Sequence, residues 1–465
     1  MIAKFGTSGL RGLAEELIGA AAVDHTRAFI RHLKAKRLVE AGDAICVAYD
    51  FRASSPVLHE NVSAAIASEG MSEVNYGAVP TPALAFEAMR KGRASVMITG
   101  SHIPADRNGI KFYRPDGEIS KIDEQAIVAG VAKLKKAKSG KVSKKEATPK
   151  KFVERYAAAF SGKPLKGLRI GVYQHSTVAR DMMVALLEKA GAKVTALARS
   201  ETFIPVDTEA VSEDTLKLLQ DWCAGGKFDA IVSADGDGDR PLVTDEKGRV
   251  IRGDLVGLIT ARFLKAKTVV TPVTSNSGLD AHLKKGAIRS KVGSPFVIAE
   301  MEKARKAGAK AIVGFEANGG FFTLSKFKLG KGTLTPLPTR DCFLPILAVL
   351  AAVKKAKVPL SVFSASFALP VALADRLENF PLESSQKLMN QLQDEKALAD
   401  FFAPFGGVAD VNRLDGLRVT LNDGFVIHLR PSGNAPEFRC YIEAVTQKEA
   451  VELLNKALAR IASAR

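Results

Sequence analysis

The sequence predicts an α/β protein in which three similar mixed-sheet α/β segments precede a C-terminal α+β segment. Three observations carry this. Between residues 44 and 316, short apolar runs alternate with helical patterns, the arrangement that puts helices on the faces of parallel or mixed sheets. The tail instead carries strand-like runs joined by turns and closed by one helix. The length, 465 residues, is too great for one ordinary core and implies two to four domains.

In the first segment, AICVAYD (44–50) reads as a buried strand, 56–69 as a helix and SVMITG (95–100) as a second buried strand. In the second, LRIGVYQ (168–174) is a strand. The helix over 178–190 sets Val178, Met182 and Leu186 on one face and stops at Gly191. AKVTALA and FDAIVSADGDGDR supply two more strands. In the third, KTVVTPV (267–273) and KAIVGFE (310–316) flank a helix over 296–307. At the end LRVTL, FVIHLR and FRCYIEAV are strands, the first two joined by an Asn-Asp-Gly turn, and 447–463 is a helix. Boundaries fall at the lysine-rich stretch, near 250 and near 370.

Composition bounds the function. Hydrophobic residues make up 46% and charged residues 25%, the balance of a soluble globular chain. No apolar run reaches the ~18 residues of a membrane span. The start, MIAKFGTSGLRG, has no signal-peptide apolar region. Cys46, Cys223, Cys342 and Cys440 stand singly without metal spacing and read as buried thiols. Together these imply a cytoplasmic protein. The net charge of +17 invites a nucleic-acid reading, but residues 132–151 hold nine lysines and one glutamate with no aromatic to stack on a base. They read as a solvated basic linker, and the remaining positive charge can steer an anionic substrate.

Five stretches carry chemistry. The richest is Asp235-Gly-Asp-Gly-Asp-Arg240 after the apolar run AIVS. In an extended chain alternate residues share a side at ~6.5–7 Å spacing. The glycines let the loop curl so that three carboxylates converge. Such an oxygen set suits Mg²⁺ or Ca²⁺ rather than zinc. A calcium EF-hand loop would use Glu246 at its twelfth position, but it needs glycine where Arg240 stands. An acidic surface turn would leave three acids repelling one another.

Ser101, in Thr99-Gly-Ser-His-Ile-Pro-Ala-Asp-Arg-Asn-Gly-Ile-Lys111, follows a buried strand, where α/β folds place functional loops. It can be a nucleophile or a phosphate carrier, or merely cap a helix. His102 is too close in sequence to act readily as its base but can line the same pocket. Asn108-Gly109 reads as a turn returning Lys111 to the loop.

Phe5-Gly-Thr7-Ser8-Gly-Leu-Arg11-Gly offers backbone N–H groups and a guanidinium fork to a phosphate. Arg430-Pro-Ser432-Gly433-Asn434-Ala-Pro-Glu-Phe-Arg439 sets two arginines around a turn, a phosphate clamp or a plain hairpin. Glu316-Ala-Asn318-Gly-Gly320 offers acceptors and donors to a diol, or is a plain turn.

Taken in order from Phe5 to Glu443, these stretches resemble the motif set of the α-D-phosphohexomutases, most of all the phosphomannomutase/phosphoglucomutase subgroup. The resemblance implies four domains around a central cleft: a phosphoserine-loop domain over 1–147, a metal-binding domain over 148–250, a sugar-recognition domain over 251–370 and a phosphate-binding domain over 371–465. It implies that Ser101 is a phosphoserine and that Asp235, Asp237 and Asp239 hold Mg²⁺ with the Ser101 phosphate. Arg11 and Lys111 would lie near the reacting oxygen, with Thr7 and Ser8 beside them and His102 and Arg240 lining the site. Glu316 and Asn318 would read sugar hydroxyls. Arg430, Ser432, Gly433, Asn434 and Arg439 would hold the phosphate that is not reacting. Lys291 and Ser294 in SKVGSPF resemble a further substrate loop.

The implied activity interconverts hexose 1-phosphate and hexose 6-phosphate, of mannose or glucose, through a phosphoserine enzyme and a hexose 1,6-bisphosphate. Glucose 1,6-bisphosphate would be the activator, phosphosugars the only partners, and the chain a monomer or weak homodimer. A phosphoglucosamine mutase or a metal-dependent sugar phosphatase is the alternative. The sequence departs from the family pattern at Asn434 and Ala435, which replace Thr and Glu. It departs again at Asn318 and Gly320, where the family commonly has Ser and His.

Overall fold

The computed structural model describes residues 4–6, 9–134, 143–432 and 436–464. They fall into two compact units, Met1–Val270 with Gly293–Ser366, and Thr271–Val292 with Phe367–Arg465.

The first unit contains three mixed sheets. In the first, Ala44–Tyr49 lies parallel to Ser72–Ala78 and to Ser95–Ile98. Arg107–Arg114 adds on antiparallel and is followed outward by Leu10–Leu13. Strand alternation divides the apolar residues between two cores. Ile45 and Val47 pack with Phe29, Leu58, Val62 and Ile66 from the helices Ala20–Ala35 and Ser55–Ser68. Cys46 and Ala48 pack with Leu84, Ala85 and Ala88 of the helix Thr81–Arg90. A sheet covered on both faces explains why these strands read as continuous apolar runs.

Two expectations change here. Asn108 and Gly109 are not a turn; they lie inside the strand Arg107–Arg114. A Cβ on Gly109 would sit 2.7 Å from the carbonyl oxygens of Leu10 and Thr99, so the glycine permits a close backbone approach. The lysine-rich stretch is more than a linker. Lys144–Glu146 pairs parallel with Ser72–Ala78 as an exposed edge strand, where lysines discourage further pairing. Lys150–Ala159 is a helix, and 135–142 lie outside the described residues.

The second sheet centres on Arg169–His175, parallel to Lys193–Arg199 and Ala230–Ala234; the latter turns back into Pro241–Val243. Its helix, Arg180–Lys189, buries Met183, Leu186 and Leu187, one step from the expected face, and leaves Met182 half-buried. In the third sheet, residues 268–270 pair parallel with Ile312–Phe315, followed by antiparallel Phe321–Thr323 and Leu337–Asp341. The helix Ser294–Lys306 seats Val297 and Met301 on it.

The second unit is an antiparallel sheet in the order Val371–Leu377, Phe438–Ala444, Val426–Pro431, Leu417–Leu421, Val408–Asn412. The first and last of these strands were not read from the sequence; they are half-exposed edges, the first passing from Val-Ala-Leu-Ala into Asp-Arg and the last mixing apolar and polar residues as Val-Ala-Asp-Val-Asn. The helix Gln447–Ala462, opened by a Thr446–Glu449 capping box, buries Leu453, Leu454, Ala457 and Ile461 in this unit's core. Thr271–Val292 joins this unit through Ser277, which donates to Glu443, and through Asn276 Nδ2, 2.8 Å from the Pro370 carbonyl. All four cysteines are buried and unpaired. Among the described residues no helix is long and apolar enough to cross a membrane.

Candidate active site

Ser101 stands three residues past the strand Ser95–Ile98, buried, with φ +57°. A left-handed serine costs of order 1–3 kcal/mol and persists only where its surroundings impose it. Here they do. Its N–H donates to Thr99 Oγ1 at 2.7 Å, and Thr99 Oγ1 donates to Asp50 Oδ2 at 2.7 Å. Arg52, 1% exposed, donates to the carbonyls of Ser101, Ile103, Pro104 and Arg107 and to Asp50. Gly100 leaves room for that guanidinium, since a Cβ there would lie 2.6 Å from Arg52 Cζ. The residues after Ser101 form turns and then a strand, so the serine caps no helix.

Asp235, Asp237 and Asp239 occupy the turn between Ala230–Ala234 and Pro241–Val243. The loop does not run extended. Gly238, at φ +69°, folds it back so that Gly238 N–H donates to the Asp235 carbonyl at 3.0 Å. A Cβ on Gly236 would meet the Ser101 carbonyl at 2.7 Å, which sets how closely the two loops approach. The carboxylates are at most 1% exposed, and one oxygen of each lies within 4.8 Å of the others.

Each carboxylate has one oxygen anchored by the protein. Asp235 Oδ1 accepts the N–H groups of Asp239 and Arg240, both at 3.1 Å. Asp237 Oδ2 takes Thr81 Oγ1 and Lys111 Nζ, both at 2.5 Å. Asp239 Oδ2 takes Lys111 Nζ at 2.5 Å and Arg340 Nε at 3.1 Å. The second oxygens differ in use. Asp235 Oδ2 accepts from Ser101 Oγ, whereas Asp237 Oδ1 and Asp239 Oδ1 are buried with no hydrogen-bond partner. Buried acceptors without donors are costly. Two of them beside a third carboxylate fit a hard divalent cation with oxygen ligands, and Mg²⁺ suits a site that keeps positions open. Glu246 takes no part; it accepts from the Ser361 N–H and hydroxyl.

Cations surround the acids. Arg240 Nε lies 3.9 Å from Asp235 Oδ2 and 3.8 Å from Asp239 Oδ1. Burial and the neighbouring acids Asp237 and Asp239 push the Asp235 carboxyl well up. Burial also raises Asp239, but Arg340, Lys111 and Arg240 outweigh it and hold that carboxylate well down. The Arg11 guanidinium is lowered to about 10 by burial and by Arg240 and Arg340, which places it in the same cationic field. His102 Nδ1 is 3.3 Å from Ser101 Oγ and its Nε2 is 3.8 Å from Asp207 Oδ2. Burial, then Arg240 and Arg11, push this imidazole well below its ordinary value and keep it neutral.

Glu316 and Asn318 lie on a tight turn after Ile312–Phe315, with Gly319 at φ +84°. Glu316 Oε2 accepts from Arg340 Nη1 at 2.8 Å, and Asn318 Oδ1 is turned to the Gly320 N–H at 3.0 Å. Ser294 Oγ donates to Glu118 Oε2 at 2.6 Å. Lys291, Arg430, Ser432 and Arg439 belong to the second unit. There Arg430 stands directly across from Arg439, which stands across from Arg376, making a row of three arginines on adjacent strands. Arg430 Nε reaches Asp415 at 3.1 Å. Thr7, Ser8, Gly433 and Asn434 lie outside the described residues.

Sequence reasoning missed Arg52, Thr81, Asp207 and Arg340. Only Arg52 carried a local signal, closing the run Tyr-Asp-Phe-Arg after a buried strand. The other three are single polar residues whose partners are distant in sequence.

The chain matches the phosphoglucomutase/phosphomannomutase family throughout: alpha/beta/alpha domain I over residues 3–138, domain II over 150–248, domain III over 252–368 and the C-terminal domain over 377–461. It is 50% identical to a phosphomannomutase of Sinorhizobium fredii, with 98% of each chain covered. It is 39% identical to a phosphomannomutase of Salmonella muenchen, covering 99% of this chain and 95% of the other. A phosphoglucosamine mutase of Clostridium beijerinckii is 29% identical, with 97% of each covered. Among solved structures, a phosphoglucomutase/phosphomannomutase family protein from Burkholderia thailandensis superposes with TM-score 0.77 at 23% identity. That match covers 100% of this chain and 98% of the other.

Proposed function

The chain belongs to the phosphoglucomutase/phosphomannomutase family, and we propose that it interconverts hexose 1-phosphate and hexose 6-phosphate, mannose before glucose, through a phosphorylated Ser101. The observation that carries the reading is the pair of bare buried oxygens on Asp237 and Asp239, set beside an Asp235 that already grips Ser101 Oγ. Asp235, Asp237 and Asp239 would hold Mg²⁺, which when bound neutralises charge on the oxygens of the transferring group.

The remaining work falls to side chains of this protein. Arg52, Thr99 and Asp50 fix the Ser101 loop, so Oγ is presented without reorganisation. Lys111, Arg240 and Arg11 place positive charge around a phosphoryl group on that oxygen. In the forward half, the bond from Ser101 Oγ to phosphorus breaks as the free sugar hydroxyl takes the phosphoryl group, giving a hexose 1,6-bisphosphate. In the second half, the other phosphate returns to Ser101. Glu316 and Asn318 would read sugar hydroxyls, and Arg430, Ser432 and Arg439 the distal phosphate. Mannose is placed first because the relatives at 50% and 39% identity are phosphomannomutases, against 29% for the phosphoglucosamine mutase. An Aspergillus fumigatus N-acetylphosphoglucosamine mutase of the same fold, at TM-score 0.60, has been solved with glucose 1,6-bisphosphate bound, which supports a bisphosphate as a ligand here. The domain roles follow: 1–147 carries the phosphoserine, 148–250 the metal, 251–370 the sugar loop and 371–465 the distal phosphate.

The test is conversion of mannose 1-phosphate to mannose 6-phosphate by the purified chain with Mg²⁺ and glucose 1,6-bisphosphate. Turnover lost in chelator and restored by Mg²⁺ is the expected result. Release of free phosphate without isomerisation would replace the mutase with a phosphatase.

A further inference from the structure

Arg340 sits at 3% exposure on the strand Leu337–Asp341 and touches two loops at once. Its Nε donates to Asp239 Oδ2 at 3.1 Å and its Nη1 to Glu316 Oε2 at 2.8 Å. The room for its stem comes from Gly320. A Cβ at 320 would lie 2.4 Å from Arg340 Cδ and 2.7 Å from Cγ, so a side chain at 320 and this placement of Arg340 exclude each other. Gly320 is absent from the glycines with positive φ. A left-handed backbone is therefore not what calls for glycine there; the space taken by Arg340 is.

We propose that Arg340 is a positioning residue that locks the sugar loop to the metal loop, and that Gly320 is the space that admits it. The proposal rests on the reading of Glu316 as a sugar ligand and of the aspartates as the metal site. With Lys111, Arg340 occupies Asp239 Oδ2 and so turns the bare Oδ1 towards the cation site. The same guanidinium fixes Glu316, the carboxylate that would accept from a sugar hydroxyl. Two separate N–H donors on one rigid plane are needed, which a lysine cannot supply.

Two readouts test it on the full chain: calorimetric titration with Mg²⁺ alone, and the ratio of kcat/KM for mannose 1-phosphate over its 4-deoxy and 3-deoxy analogues. Arg340→Ala should weaken Mg²⁺ about ten- to a hundredfold. It should also draw the discrimination against the deoxy analogues towards one, because Glu316 is no longer held to the hydroxyl. Arg340→Lys should recover one of the two readouts and not both. Gly320→Ala retains every charged group yet displaces Arg340, so it should shift both in the same direction; it also serves if Arg340→Ala fails to fold. Wild-type Mg²⁺ affinity and wild-type discrimination in folded Arg340→Ala and Gly320→Ala would overturn the role of Arg340 alone. A wild-type protein that binds no Mg²⁺, or that ignores the hydroxyl deletions, would overturn the metal or sugar assignment, and this inference with it.

Discussion

At Asp237 the protein spends one carboxylate oxygen on Thr81 and Lys111 and leaves the other buried without a donor. That asymmetry is what the proposal of Asp237 as a metal ligand rests on, and it sets the residue apart from Asp50, whose two oxygens are taken by Ser55, Thr99 and Arg52. Asp237→Asn should therefore cut Mg²⁺ affinity at least about tenfold and mutase activity with it, since one charged ligand of three is lost. Calorimetry with Mg²⁺ and the coupled assay check this, and equal activity in excess chelator would contradict it. Three aspartates alternating with glycines are legible because the turn that gathers them, at Gly238, lies within the same short run. Arg340 was not, because its meaning lies in Asp239 on one sheet turn and in Glu316 and Gly320 on another, both distant from it in sequence. Asn108-Gly109 was misread for the same reason: the glycine answers a carbonyl from another strand, not a local turn.

At the scale of elements, the strands Val426–Pro431 and Phe438–Ala444 put Arg430 and Arg439 face to face, with Arg376 next in the row. Like charges directly opposite are destabilising in an antiparallel pair, and a bound dianion between them reverses that. The alternation of the tail predicted these strands but not their register, which decides that the two arginines share a face. Arg430→Ala should change thermal stability little without ligand, because relief of the arginine row is offset by loss of the Asp415 pair. It should raise KM for mannose 1-phosphate about ten- to a hundredfold, the worth of one charge-assisted fork. Unchanged KM and kcat would reduce the loop to a hairpin. Lysine at this position should rescue only in part, because a point charge does not reproduce the fork.

Across the whole molecule, His175 in the first unit and His428 in the second are almost wholly buried. His175 Nε2 lies against the Ala234 carbonyl and His428 Nε2 against that of Asp415, and both Nδ1 atoms have no partner. Burial lowers each imidazole to about 4. The unfolded chain then binds more protons than the folded one between about 6.5 and about 4, so stability falls as pH falls through that window. Each group contributes on the order of 3 kcal/mol of that loss. His428→Gln should flatten the acid limb of the second unit's unfolding curve; an unaltered limb would place the loss elsewhere. The succession of α/β segments and an α+β tail was legible throughout, because strand and helix periodicities are local. The grouping of Thr271–Val292 with the C-terminal unit was not, because it depends on Ser277 meeting Glu443.

The central claim is that Ser101 carries the phosphoryl group, and peptide mass mapping of the protein after incubation with glucose 1,6-bisphosphate and Mg²⁺ tests it most directly. One added phosphoryl group on the peptide containing Ser101 is predicted, discharged by mannose 1-phosphate and absent from Ser101→Ala, which loses nearly all turnover. A fully active enzyme whose Ser101 peptide never gains that mass would contradict the account.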